Sequence, residues 1–142
     1  MKKHFIMATA IALITLSACA QKIKETQVPT AVKAGFQKQY PNIKASWDKE
    51  GANYEANFKK DGKEMSAVIE KNGTIVETET MIAVSELPQM VKAYMKEHYG
   101  SMKIKEAAKI VKANGEVNYE AEISHKDVVF DGNGKFIKEE KE

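Results

Sequence analysis

Few residue types in this chain offer catalytic or metal-binding chemistry. There are three histidines (His4, His98 and His125), one cysteine (Cys19), and no arginine among the 22 basic residues. His98 lies in Lys96-Glu97-His98-Tyr99 and His125 in a turn-like stretch. Neither has a second His at i+4 or an HExxH frame, and a metal site needs several converging ligands, so both read as solvated surface groups. Asp131-Gly132-Asn133-Gly134 has the opening spacing of a calcium loop but lacks the later Glu, which leaves a β-turn. Carboxylates are plentiful. Glu77 and Glu79 alternate about Thr78 and are expected on a solvated strand face. Without Arg, planar bidentate capture of phosphate or carboxylate is excluded. No nucleophile elbow, Walker loop or dinucleotide glycine fingerprint appears. The expectation is a non-enzyme with no catalytic residue, no metal and no cofactor.

Cys19 has a different use. Lys2 and Lys3 precede an apolar run, Phe5 to Leu16, which is short for a bilayer span and has the length of a signal-peptide core. Leu16-Ser17-Ala18-Cys19 then resembles the bacterial lipobox, with Cys19 as the lipid-bearing first residue after cleavage. Residues 1–18 are read as signal peptide and 19–27 as a lipidated N-terminus and polar tether. Cleavage removes Lys2 and Lys3, so the 22 basic residues fall level with the 20 acidic ones. The basic surface that nucleic-acid binding requires is then missing. The expected location is the periplasmic side of a bacterial envelope, lipid-anchored through Cys19.

The remaining chain, 28–142, repeats itself. Val28-Pro29-Thr30-Ala31-Val32-Lys33-Ala34 returns 59 residues later as Leu87-Pro88-Gln89-Met90-Val91-Lys92-Ala93. Tyr54-Glu55-Ala56 matches Tyr119-Glu120-Ala121, and Asn72-Gly73 matches Asn133-Gly134. The changes in offset place insertions and deletions in hairpin loops. The copies run over 28–80 and 87–139.

Each copy opens with a helical stripe, Val32/Phe36/Tyr40 and Val91/Met95/Tyr99. Pro29 and Pro88 suit a first turn, and Thr26 and Ser85 are expected caps. Pro41 and Gly100 end the helices. Period-two segments follow. With Asp61-Gly62 as a hairpin turn, Phe58 pairs with Met65, Ala56 with Ala67 and Tyr54 with Ile69. The second copy reads as Ile104–Val111, Val117–Ser124, Val128–Asp131 and Lys135–Lys138. One copy alone is marginal for an independent core. The expected fold is therefore α+β: two tandem helix-plus-antiparallel-strand repeats in one continuous antiparallel sheet, with both helices on one face.

Val28-Pro29, Val32, Tyr40-Pro41, Tyr54-Glu55, Asp61-Gly62-Lys63 and Asn72-Gly73 together resemble the PepSY-like family, secreted or lipoprotein domains similar in fold to beta-lactamase inhibitory protein. The resemblance covers about 28–139. The second copy departs from it at Gly100 and in lacking an Asp-Gly before Val128. It implies architecture and no catalytic residue, because fold does not imply function.

Lys59-Lys60 and Lys103, Lys105, Lys109 and Lys112 read as protection of sheet edges, or else as a docking surface for an acidic ligand or anionic headgroup. With Ala67 and Ile69 facing the helices, Val68 must face away, and Val129 is its repeat equivalent. Ile75 and Phe136 are expected on the same outer face. A contiguous cluster there would mark a partner-binding surface. The function expected is a binding role toward an envelope protein or peptide through the sheet, inhibitor-like. The alternative is a small-ligand carrier or sensor using a groove between the repeats.

Overall fold

A computed structural model describes residues 20–141. Cys19 and the segment read as signal peptide lie outside the described residues. The strands form a single antiparallel meander in which every strand pairs with its neighbour in sequence. They are β1 (Gln21–Ile23), β2 (Ala45–Glu50), β3 (Asn53–Lys60), β4 (Lys63–Ile69), β5 (Ile75–Ile82), β6 (Ile104–Lys112), β7 (Val117–Ile123), β8 (Lys126–Asp131) and β9 (Phe136–Lys141). Helices α1 (Thr30–Gln39) and α2 (Gln89–Tyr99) precede β2 and β6. The Asp61-Gly62 hairpin sets the expected register, with Phe58 opposite Met65, Ala56 opposite Ala67 and Tyr54 opposite Ile69. The two copies join through β5 and β6, where Glu77 to Ile82 pair with Lys112 to Ala107.

Both helices pack on one face of this sheet, over one apolar cluster per copy. In the first copy Val32 and Phe36 of α1 meet Trp47, Tyr54, Ala56, Phe58, Ala67 and Ile69. Phe36 lies edge-on to Trp47 and Phe58, with ring centroids 5.5 and 5.0 Å away, within the range where aromatic pairs attract. In the second copy Val91 and Met95 of α2 meet Ala107, Ala121, Ile123, Val128 and Phe130. The copies differ where α1 has Gly35. A Cβ there would stand 2.0 Å from the carbonyl oxygen of Gly73, so only glycine lets the helix rest on the β4–β5 turn. The second copy places Tyr94 at that position, where it stacks on Phe136 at 5.2 Å.

Several expectations need correction. Residues 21–27 are not a loose tether: β1 pairs with β2 from Gln21–Lys49 to Ile23–Trp47, and Glu25–Gln27 form a 3-10 turn. Ile23 packs against the first core, which explains why this polar stretch is held. Thr26 and Ser85 do not cap the helices. Each lies in a 3-10 turn, closed by Gln27 accepting from the Lys24 N–H at 2.8 Å and Glu86 from the Ala83 N–H at 2.7 Å. The β7–β8 connection falls at Ser124-His125, so Lys126 already belongs to the strand.

Ile75 and Phe136 are also corrected: both lie on the helix side, packed against the first and second core. The cause is a β-bulge in each copy. Val68 pairs with Glu77 but Ile69 pairs with Ile75, which leaves Val76 as an extra residue. Val129 pairs with Lys138 but Phe130 pairs with Phe136, which leaves Ile137 as the extra residue. One inserted residue reverses the in–out alternation beyond it.

Candidate functional site

The face of the sheet opposite the helices holds the molecule's unusual chemistry. Alternation from the core residues places Asp48 and Glu50 of β2, Glu55 of β3 and Glu77 and Glu79 of β5 on this face. Glu106, Glu120, Glu122, Asp127 and Glu140 of β6 to β9 join them. Among the described residues no helix or strand covers this side. Glu77 and Glu79 are nonetheless buried, which corrects the solvated strand face expected from their spacing. Glu79 on β5 is pushed by the charges of Glu120 on β7, Glu55 on β3 and Asp127 on β8. Side chains of non-neighbouring strands therefore act on one another across this face. The bulge in each copy adds local twist to the sheet.

Val68 and Val129 sit in this field at 6% and 5% exposure. They point to the outer face as the alternation requires, but the long side chains beside them bury them there, which corrects the open apolar cluster expected from the sequence. Val68 is opposite Glu55 on one side and Glu77 on the other. Val129 is opposite Glu120 and Lys138. The copies thus repeat one unit, a valine between two long polar side chains, with the second acid replaced by lysine. Ile75 and Phe136 are not brought to it.

Burial has a direct electrostatic consequence, because a carboxylate removed from water is disfavoured. Burial, and then the charge of Glu50, push Glu55 up to about 7, against a hydrogen bond from Ser66 that favours the ionised form. Burial, and then the charge of Asp127, push Glu120 up to about 8. Glu79 is raised well above the usual range by burial and next by Glu120. Burial also raises Glu77, which Lys112 and Lys138 oppose. Burial first, and then one another's charge, thus disfavour the ionised form of the acids on this face. Asp48 accepts a hydrogen bond from the Asn57 amide at 2.8 Å.

Raised carboxyls in a cleft are one signature of acid–base catalysis, so the space beside them matters. The depression between Glu79, Met81, Glu106, Ala108, Glu120 and Glu122 straddles the junction of the copies. Its volume is about 10 Å³, room for a single water rather than a substrate. Among the described residues no group of three or more His, Cys, Asp or Glu is arranged to hold a metal ion. His98 stacks on the Tyr94 ring at 4.0 Å, away from the acidic face on α2. Sequence reasoning missed the acidic site because its members are spread over seven strands. The only signal was the recurring Tyr-Glu-Ala, whose central Glu must face away from the core.

Fold and site together define a class: a two-copy α+β meander whose helices cover one side of the sheet and whose other side is a carboxylate-rich surface. The chain belongs to the family described as "Putative beta-lactamase-inhibitor-like, PepSY-like", whose model matches residues 15–77 and 52–138. A solved BLIP-like protein from Bacteroides fragilis is similar at 25% identity and a TM-score of 0.63, with 80% of this chain and 86% of that one covered. A DUF2874 family protein from Bacteroides uniformis shares the fold at 17% identity and a TM-score of 0.73, over 80% and 88% of the two chains. A protein from Bacteroides eggerthii described as periplasmic aligns at 15% identity with a TM-score of 0.74, over 80% and 88%. Comparison with curated proteins gives no match.

Proposed function

We propose that this protein is a non-catalytic, lipid-anchored component of the bacterial cell envelope that binds a protein or peptide through the outer face of its sheet, in the manner of an inhibitor. The observation that carries the reading is the repeated unit at Val68 and Val129. An apolar centre beside buried acids, two at Val68 and one at Val129, favours a partner segment with an apolar side chain beside Lys or Arg. Such a cation would relieve the mutual repulsion of Glu55, Glu79 and Glu120 and draw them into their ionised forms. Family membership and the BLIP-like relative support an inhibitor-like role. The relative described as periplasmic agrees with the targeting segment and Cys19.

The test is capture from envelope extract, with the wild-type chain, a Glu55→Lys/Glu120→Lys variant and a helix-face Lys38→Glu control as baits. Polypeptides held by the wild type and the control but lost from the double variant are expected. A captured set that is the same for all three baits refutes the sheet-face reading. Assay of a β-lactamase in the presence of the protein tests the inhibitor-like part directly.

A further inference from the structure

The two copies serve as internal controls for each other, and they differ sharply at the C-terminal end of the helix. In the first copy Ile43 packs against the core, and Gln37 of α1 donates from Nε2 to the Ile43 carbonyl at 3.0 Å. That bond closes the passage from helix to strand. In the second copy the corresponding residues are Met102 and Lys96. Met102 is 53% exposed and lies outside the second core, and Gly100 takes the place of Pro41. The result is an open groove of about 390 Å³ between α2 and β6, within the usual size range of small-molecule sites.

The lining of this groove is selective. Val84, Met95, Met102 and Ile104 provide its apolar wall, and Lys92, Lys96 and Lys103 its charges, with no carboxylate among the lining residues. Lys92 donates to the Ser85 carbonyl at 3.2 Å. Neither Lys96 nor Lys103 forms an ion pair with a described residue. The first copy has Glu25 where this groove has Val84, and Gln37 where it has Lys96, so the matching place there gains a carboxylate in the apolar wall and keeps only Lys33 and Lys44 of the three lysines. Methionine adapts its shape to irregular apolar ligands, and exposing it to water without a partner forfeits burial.

We propose that the groove between α2 and β6 is a binding site for a single-chain anionic amphiphile, with the acyl chain along Val84, Met95, Met102 and Ile104 and a carboxylate or phosphate headgroup at Lys96 and Lys103. Charge complementarity selects the head, and the apolar wall selects the tail. This site is separate from the acidic sheet face and stands or falls independently of it.

Calorimetric titration of the full chain with laurate and with dodecyl phosphate tests the proposal. Any contribution from residues 1–19 is common to wild type and variants. One ligand per chain is expected for at least one of the two, and whichever binds more tightly identifies the headgroup. Lys96→Gln/Lys103→Gln should weaken binding by about tenfold or more, as removal of charge-assisted hydrogen bonds does. Met102→Asp should abolish binding by placing a charge in the tail path. If that variant melts early, the lysine pair decides. Three results would overturn the proposal: affinities unchanged in a folded lysine variant, equal binding of dodecyltrimethylammonium, or equal binding of inorganic phosphate alone.

Discussion

Replacing Glu55 by Gln should stabilise the protein, and should do so more as pH rises. Glu55 is 5% exposed, and burial is the largest reason its carboxyl is lifted from 4.5 to about 7. The folded state therefore holds a proton on Glu55 between those values, where the unfolded chain has already released it. With more protons bound when folded, stability falls as pH rises through this window. A shift of this size corresponds to roughly 3 kcal/mol once pH exceeds the folded value. Gln carries no charge to desolvate and keeps an oxygen to accept from Ser66. The expected gain over wild type is about 2–3 kcal/mol at pH 8 and under about 1 kcal/mol at pH 5. Urea denaturation at both pH values reads the difference directly. Parallel pH profiles for the two proteins, or a less stable Glu55→Gln at pH 8, would refute the claim that buried acids on this face oppose folding.

Gly35→Ala should lower stability by about 1–3 kcal/mol or more, because its methyl would collide with the Gly73 carbonyl; thermal melting checks this. Val68→Lys places a cation between Glu55 and Glu77, so its stability relative to wild type should improve from pH 5 to pH 8. A relative stability that falls over that range would show that the new side chain does not reach the acids. Cys19→Ser should yield a protein that takes up no lipid precursor in labelled cells, and equal label in wild type and variant would exclude Cys19 as the anchor.

Much of the fold is legible in the residues because it depends on local chemistry. The Val32/Phe36/Tyr40 stripe, the Asp-Gly turn and the tandem repetition each act over a few positions, and they led to the helices, the β3–β4 register and the two-copy sheet. The lipobox-like run at Cys19 is equally local. Ile75 and Phe136 were misplaced because a bulge adds one residue without leaving a mark in composition. Val76 and Ile137 look like ordinary strand residues, and the cross-strand partner decides which one is extra. Gln21 to Ile23 were misread because three polar-flanked residues become a strand only when Trp47 and its neighbours present an edge to pair with.

The candidate site divides along the same line. That Glu55 and Glu120 face away from the core follows from alternation within a strand, and the sequence by itself determines it. That these acids act on Glu79, and that Asp127 does so too out of water, depends on the order of the strands across the whole sheet, which no single segment contains. The α2–β6 groove likewise arises because Met102 turns outward where Ile43 turns in, a choice made by packing against a helix end. Local propensity sets the direction of a side chain relative to its own backbone, whereas tertiary structure decides its neighbours and its access to water, and those decide its charge.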